Sequence, residues 1–127
     1  MSNNFCYPKM GEMRLGVKNK SDFSTRSCEE GVCGACTVLA KTSDKFESVP
    51  SCCLTLNSLE NAQIINGKGL EESKFGSEIS DVFSKNFASQ CGFCTAGMAM
   101  KMCTRKENST PRDHLRGNLC RCTGYRN

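Results

Sequence analysis

The hydrophobic and polar positions of this chain follow one period in its first half and another in its second. Before about residue 67, short apolar runs are separated by polar turns. The runs Thr37–Ala40, Phe46–Pro50 and Gln63–Gly67 predict short β-strands. A weaker alternation at Arg14–Lys18 indicates one more strand. We therefore expect a small β-rich unit over residues 1–67.

From Gly69 onward, the apolar residues recur at the spacing of an α-helix. Helices are predicted over about Ser77–Ala88, Thr95–Arg105 and Arg112–Leu119. The first has apolar residues at helical spacing, namely Ile79, Val82, Phe83 and Phe87. We therefore expect a helical unit over residues 68–127, and the chain as a whole is predicted to be an α+β protein.

Cysteine is the unusual component of the composition, with 11 residues in a chain of 127 that has a single histidine. Such a content is typical of secreted disulfide scaffolds. Three observations count against that class: the N-terminus lacks the apolar segment of a signal peptide, the cysteine count is odd, and the cysteines fall into close pairs. No apolar run approaches the roughly 18 residues of a membrane span. We expect a protein without a membrane segment, in a reducing compartment such as the cytoplasm.

The segment Cys28–Cys36 has the sequence CEEGVCGAC, which spaces three cysteines as C-x4-C-x2-C. A fourth cysteine follows at Cys52 or Cys53. The plant-type 2Fe–2S ferredoxins have this ligand spacing. Gly31 and Gly34 can adopt positive φ angles and allow close backbone approach, as a loop wrapped around a cluster requires. The segment therefore predicts an iron–sulfur site.

More cysteines form a second group of two close pairs, C-x2-C and C-x-C. They are Cys91, Cys94, Cys120 and Cys122. The first pair stands at the start of a predicted helix, where free N–H groups and the helix dipole favour thiolates. A four-cysteine zinc site uses similar pairs, so a zinc-bound structural module stays open as an alternative. The C-x-C spacing, together with Phe93 as an indication of a buried site, favours a second iron–sulfur cluster.

Other residues with metal-binding side chains are assigned structural roles. His114 alone cannot make a Rieske-type centre, which needs two histidines on one iron, so we expect it at the surface or at a helix cap. Cys103 is expected to be a small buried hydrophobic residue, and Met98 and Met102 are expected to fill the core. Cys6 is predicted not to be a ligand.

The formal net charge of +4 raises the question of nucleic-acid binding. The thiolates and doubly positive Fe2S2 cores of two clusters would bring that charge to about zero. The sequence also has no continuous basic stripe interleaved with aromatic residues, so nucleic acid is not expected as a partner.

With both cysteine groups considered together, the chain resembles the iron–sulfur segment of the molybdenum hydroxylases, the xanthine dehydrogenase and aldehyde oxidase family. The resemblance runs from about Cys28 to Arg126 and is carried by the strings CEEGVCGACTV, SCCLTL, QCGFCTAGM and GNLCRCTGYR. The sequence around SCCLTL and ASQCGFC is most similar to eukaryotic aldehyde oxidases.

The resemblance implies a ferredoxin-like β-grasp domain, shortened at its N-terminus, and a following four-helix domain, each with one 2Fe–2S cluster. It implies two ligand sets: Cys28, Cys33, Cys36 and Cys53 for the first cluster, and Cys91, Cys94, Cys120 and Cys122 for the second. Electrons would pass from a molybdenum–pterin centre through the second cluster to the first, and then to FAD. Gln90 would approach the pterin.

The same resemblance implies that the molybdopterin and the FAD lie in partner domains or subunits, through which a dimer is possible. This chain alone would then do no substrate chemistry. Two alternatives follow from its length: a truncated fragment without a competent relay, or a small subunit that docks with separate flavin and molybdenum chains.

Several positions depart from the family pattern. Val32 replaces a glycine that is usual in the first loop, which would strain the loop if a positive φ were needed there. Ala96 replaces a usual proline. Between Cys94 and Cys122 the chain is several residues shorter than the family, which predicts a trimmed helix or loop.

Overall fold

The computed structural model of the protein describes residues 25–41, 44–59 and 62–126. An antiparallel sheet of three strands is formed by β1 (Thr37–Lys41), β2 (Phe46–Pro50) and β3 (Gln63–Ile65). The strand order is β2-β1-β3, so β1 is central. These strands confirm the predicted ones to within two residues at their ends. The strand predicted at Arg14–Lys18 and the residue Cys6 lie outside the described residues.

The central strand β1 is buried on both faces because it lies between two apolar clusters. Val38 and Ala40 pack with Ile64 in one cluster. Leu39 packs on the other side with Met100, which is fully buried. Successive residues of a strand face opposite sides of the sheet. One short strand therefore joins the sheet to the helical part of the chain.

The helices of the described residues are α1 (Gly67–Glu71), α2 (Lys74–Lys85), α3 (Thr95–Met102) and α4 (Pro111–His114). Two turns of 3-10 helix, Ser51–Cys53 and Leu56–Leu59, lie between β2 and β3. The three predicted helices are present, although α2 begins earlier than predicted and α3 and α4 end earlier. In the part of the chain that the structure describes, no helix is long and apolar enough to cross a bilayer.

Local capping explains several of these boundaries. Helix α2 begins after Ser73, whose hydroxyl accepts a hydrogen bond from the N–H of Gly76 at 3.0 Å. Helix α4 begins after Thr110, whose hydroxyl accepts from the N–H of Asp113 at 3.1 Å. The chain cannot continue as a helix to Leu119 because Gly117 has a φ of 87°.

The apolar residues that follow helical spacing in and just after α2 are not all buried. Ile79 and Phe83, four residues apart, pack against the cluster around Leu39. Val82 is 57% exposed because successive residues of a helix lie about 100° apart around its axis. Phe87 is 79% exposed and lies beyond the end of α2. Two of the four residues therefore do not belong to the buried face.

Candidate metal centres

The first cysteine group lies in an irregular loop that leads into β1. The N–H groups of Val32 and Cys33 donate hydrogen bonds to Cys28 Sγ at 3.3 and 3.4 Å. Backbone donors from Glu30, Cys33 and Val32 lower the pKa of the Cys28 thiol to about 6. Because the thiolate is the form that binds metal, the loop itself prepares Cys28 to be a ligand.

The backbone angles of this loop show how it accommodates its one departure from the family pattern. Gly31 and Gly34 have φ angles of 77° and 71°, as predicted. Glu29 also has a positive φ, of 57°. Val32 has a negative φ. The strain considered for Val32 is therefore absent.

The fourth sulfur of the first group comes from the 3-10 turn that follows β2. Cys52 is buried and Cys53 is exposed, and their sulfurs are 3.8 Å apart. Burial raises the pKa of Cys36 and of Cys52, whose side chains lie within hydrogen-bonding distance of each other. Cys53 Sγ lies 2.7 Å from the position that a Cβ on Gly31 would take. Both sulfurs therefore lie against the loop that carries the other three cysteines.

The second group joins the start of α3 to the C-terminal loop. Cys94 directly precedes α3. The sulfurs approach in pairs, Cys91 with Cys122 and Cys94 with Cys120. The N–H of Phe93 and the thiol of Cys122 lower the pKa of Cys91, whereas burial raises that of Cys94 to about 11. A two-iron core binds two thiolates at each iron, and this paired arrangement suits it.

Cys120 has a side-chain hydrogen-bond partner as well as backbone ones. The hydroxyl and the N–H of Thr123 lie 3.1 and 3.4 Å from Cys120 Sγ. The Thr123 hydroxyl and N–H lower the pKa of this thiol to about 7. The N–H of Cys120 in turn donates to Tyr125 Oη at 2.8 Å. The C-terminal loop thus favours a thiolate at Cys120, as the first loop does at Cys28.

The two cysteine loops contact each other through main-chain atoms. The N–H of Leu119 donates to the carbonyl of Cys33 at 2.8 Å. The side-chain amide of the buried Asn118 donates to the carbonyl of Gly34 at 3.0 Å. Leu119 directly precedes Cys120. One hydrogen bond therefore connects a candidate ligand of the first group with the residue next to a candidate ligand of the second.

Comparison with known proteins places this arrangement in a family. Residues 67–127 match the 2Fe-2S binding domain family. The chain is similar to Xanthine dehydrogenase 1 of Arabidopsis thaliana, with 38% identity over 113 residues, and to Abscisic-aldehyde oxidase of the same plant, with 38% identity over 117 residues. The chain belongs to the molybdenum hydroxylase family.

These alignments cover 78% of this chain, which spans only 8% and 9% of the length of the two relatives. Among solved structures, the chain is similar to quinoline 2-oxidoreductase from Pseudomonas putida 86, with a TM-score of 0.66 and 33% identity. That match covers 81% of this chain and 65% of the other. The equal identity to the two plant relatives does not separate xanthine dehydrogenases from aldehyde oxidases.

Features of this chain other than its thiols also fit an iron–sulfur core. Ser51 Oγ is buried without a hydrogen-bond partner, close to the Cys36 side chain. A buried hydroxyl without a partner is costly, and a bound cluster would offer it sulfur acceptors. Within the described ranges, no three His, Cys, Asp or Glu side chains converge on a point suited to a single metal ion. In the second group, the pairing of Cys91 with Cys122 and of Cys94 with Cys120 suits a core of two irons.

One expectation about the second cysteine group was wrong. Phe93, taken as an indication of a buried site, is 48% exposed, and Cys91 and Cys122 are exposed as well. The reason is that Phe93 lies in the turn before α3, outside the apolar clusters around β1. The second group is therefore at the surface of this chain.

The structure also places Gln90 and His114, the two other residues singled out in the sequence. Gln90 is exposed and directly precedes Cys91. His114 Nε2 lies 2.7 Å from the carbonyl of Lys101 in the last turn of α3, which is the capping role predicted for it. The cysteines that the structure describes are free thiols.

The sequence analysis did not predict two residues that stabilise this site. Asn118 bridges the two loops, and Thr123 forms a hydrogen bond with the sulfur of Cys120, a candidate ligand. Both lie in the string GNLCRCTGYR, within two positions of Cys120 or Cys122. Their short polar side chains beside candidate ligands were the available signal.

Proposed function

We propose that the chain binds two 2Fe–2S clusters and transfers electrons between them, as the iron–sulfur part of an oxidoreductase of the xanthine dehydrogenase and aldehyde oxidase type. The hydrogen bond from Leu119 N–H to the Cys33 carbonyl carries this proposal, because it gives the two centres a short through-bond connection. The proposed ligands are Cys28, Cys33, Cys36 and Cys53 for the first cluster, and Cys91, Cys94, Cys120 and Cys122 for the second.

Each bound cluster would accept and release one electron, and the chain's own residues prepare its binding. Backbone N–H groups favour the thiolate at Cys28, and Thr123 favours it at Cys120. Cys94 stands at the N-terminus of α3, where the helix dipole also favours negative charge. Hydrogen bonds between the two loops keep the proposed ligands at a fixed separation.

We further propose that electrons arrive from a molybdenum–pterin centre at the second cluster and leave through the first towards FAD. Both of those cofactors would lie in partner domains or subunits, so this chain alone would do no substrate chemistry. Gln90, exposed beside Cys91, is the residue proposed to approach the pterin. Phe93 and Leu119 are 48% and 58% exposed, which supports a surface that another domain covers. A reducing compartment such as the cytoplasm suits the free thiols.

Iron and acid-labile sulfide analysis, with EPR of the dithionite-reduced protein, tests the proposal. We expect about four iron and about four sulfide per chain and two distinct EPR signals, as two 2Fe–2S clusters require. About two iron and a single signal would contradict the two-cluster relay. Zinc without sulfide would instead establish a structural module.

A pair of substitutions tests the choice of the fourth ligand. Cys53→Ser is expected to remove the first EPR signal and about half of the iron, since a serine hydroxyl replaces a thiolate ligand. Cys52→Ser changes the neighbouring residue and serves as the matched control, with both signals retained. The opposite pattern would show that Cys52 is the ligand.

A further inference from the structure

The hydroxyl of Thr123 lies within hydrogen-bonding distance of a proposed ligand sulfur. Thr123 Oγ1 lies 3.1 Å from Cys120 Sγ. The N–H of Tyr125 donates to the same Oγ1 at 3.2 Å. A hydroxyl has one hydrogen and two acceptor sites, so Oγ1 can accept from Tyr125 and use its own hydrogen for the sulfur.

The rest of the C-terminal loop fixes this geometry. Tyr125 Oη accepts from the N–H of Cys120 at 2.8 Å and donates to the carbonyl of Asn118 at 3.0 Å. Asn118 is in turn held by its side-chain bond to the carbonyl of Gly34. The sulfur of Cys120 and the hydroxyl of Thr123 therefore belong to one hydrogen-bonded loop, and their separation does not depend on either side chain alone.

We propose that Thr123 is a positioning residue that raises the reduction potential of the second cluster through its hydrogen bond to Cys120 Sγ. Reduction adds one electron and breaks no bond, so the reduced cluster is the more negative one. A donor to sulfur stabilises that added charge. The inference rests on the proposed function, in which the second group holds a 2Fe–2S cluster.

Cys28 and Cys120 differ in how their sulfurs receive hydrogen bonds. The donors to Cys28 Sγ are main-chain N–H groups, which remain when side chains are exchanged. At Cys120, the N–H of Thr123 is joined by a hydroxyl, and a side-chain substitution removes only the hydroxyl. Thr123 is therefore a position through which the potential of one cluster can be changed separately from the other.

Redox titration followed by EPR, on the full chain loaded with iron and sulfide, tests the inference. Thr123→Val keeps the side-chain shape and the main-chain N–H but removes the hydroxyl. We expect the midpoint of the second signal to move to a more negative potential and that of the first to stay unchanged. Thr123→Ser restores the hydroxyl and should restore the midpoint.

The matched control is Thr104→Val, which removes a hydroxyl that bonds Ser48 Oγ at 3.0 Å and contacts neither cysteine group. It should move neither midpoint. An unchanged second midpoint in Thr123→Val, with both signals intact, would overturn the inference and leave the proposed function standing. Absence of the second signal in the parent chain would overturn the proposed function and the inference together.

Thr123→Ala covers the case in which Thr123→Val fails to hold the second cluster. A retained cluster with a more negative midpoint in Thr123→Ala would support the inference. Loss of the second signal in both variants, with retention in Thr123→Ser, would show that the hydroxyl is needed for binding and would overturn its role in setting the potential.

Discussion

At the scale of single residues, the thiols differ in charge state because their surroundings differ. Hydrogen-bond donors lower the pKa of Cys28 to about 6 and of Cys120 to about 7. Burial raises the pKa of Cys94 and of Cys103 to about 11. Donors stabilise the thiolate, whereas burial stabilises the neutral thiol. Cys94 and Cys103 are both partly buried, and of these two only Cys94 belongs to a proposed ligand set, where the positive charge of a metal would favour its thiolate.

Cys103 is expected to resist alkylation at pH 8. Its Sγ donates to the carbonyl of Ala99 at 3.2 Å, and burial raises its pKa from 9.0 to about 11. Two pKa units make its thiolate roughly 100-fold rarer than that of an ordinary thiol at this pH. The neutral thiol stabilises the fold, and this contribution is present below pH 9 and is lost as the pH rises through about 11.

Iodoacetamide labelling followed by mass spectrometry checks this expectation. Folded protein should remain unmodified at Cys103 at pH 8, and protein unfolded in urea, the control, should be labelled there. Rapid labelling of the folded protein at pH 8 would contradict the assigned burial.

At the scale of elements, α3 connects the apolar core with both cysteine loops. Met100 and Ala99 pack against Leu39 of β1. Near its N-terminus, Gly97 lies against the main chain of Gly34 and Ala35 in the first cysteine loop. The absence of a side chain at Gly97 is what allows this close approach. Helix α3 therefore holds the cysteine loops in a fixed position relative to the core.

Gly97→Ala is expected to destabilise the protein, although alanine normally stabilises a helix interior by about 1 kcal/mol relative to glycine. An added Cβ would overlap the carbonyl oxygen of Gly34 and lie 3.2 Å from Ala35 Cα, and neither backbone atom can move freely. Thermal unfolding followed by circular dichroism should show a lower Tm, with both EPR signals weakened.

Gly69→Ala is the matched control in another helix. There an added Cβ would meet the side chains of Ile65 at 3.1 Å and Asn66 at 3.7 Å, which can adjust. A small change in Tm is expected. A raised Tm and full cluster signals in Gly97→Ala would show that α3 does not need this close contact.

At the scale of the whole molecule, two cysteine groups with separate ligand sets are joined by shared loop contacts. Neither proposed set contains a residue of the other. The contacts between the loops come from main-chain atoms and from the side chain of Asn118. Ligand loss and loop damage should therefore have different consequences.

Cys33→Ser is expected to remove only the first EPR signal and Cys94→Ser only the second, because each substitution leaves the main-chain hydrogen bond from Leu119 in place. Asn118→Ala, by contrast, removes a buried hydrogen bond worth about 0.5–1.5 kcal/mol and should weaken both signals. EPR and iron content of the three variants check this. Loss of both signals in either cysteine variant would mean that the two sites assemble only as one unit.

The sequence predicted those strands and helices whose apolar residues follow a regular spacing. The short apolar runs at β2 and β3 and the helical spacing of Ile79 and Phe83 correspond to observed elements. Helix α1 was missed because it is short and contains two glycines, and its cap at Asn66 depends on one side-chain bond.

The candidate site was predictable as a set of cysteine positions, because ligand spacing is a local property of the sequence. Its three-dimensional details were not. The bond from Leu119 to Cys33 joins residues far apart in the chain and uses no side chain, so no residue type indicates it. The exposure of Phe93 likewise depends on how α3 packs, which the spacing of Cys91 and Cys94 does not specify.

The bond between Leu119 and Cys33 has a consequence for how this protein can change over evolutionary time. Any amino acid except proline supplies the N–H that the bond requires. The Leu119 side chain is largely exposed, so its replacement would not disturb a core. Substitution at this position can therefore change the exposed surface, while the main-chain connection between the two cysteine groups is inherited unchanged.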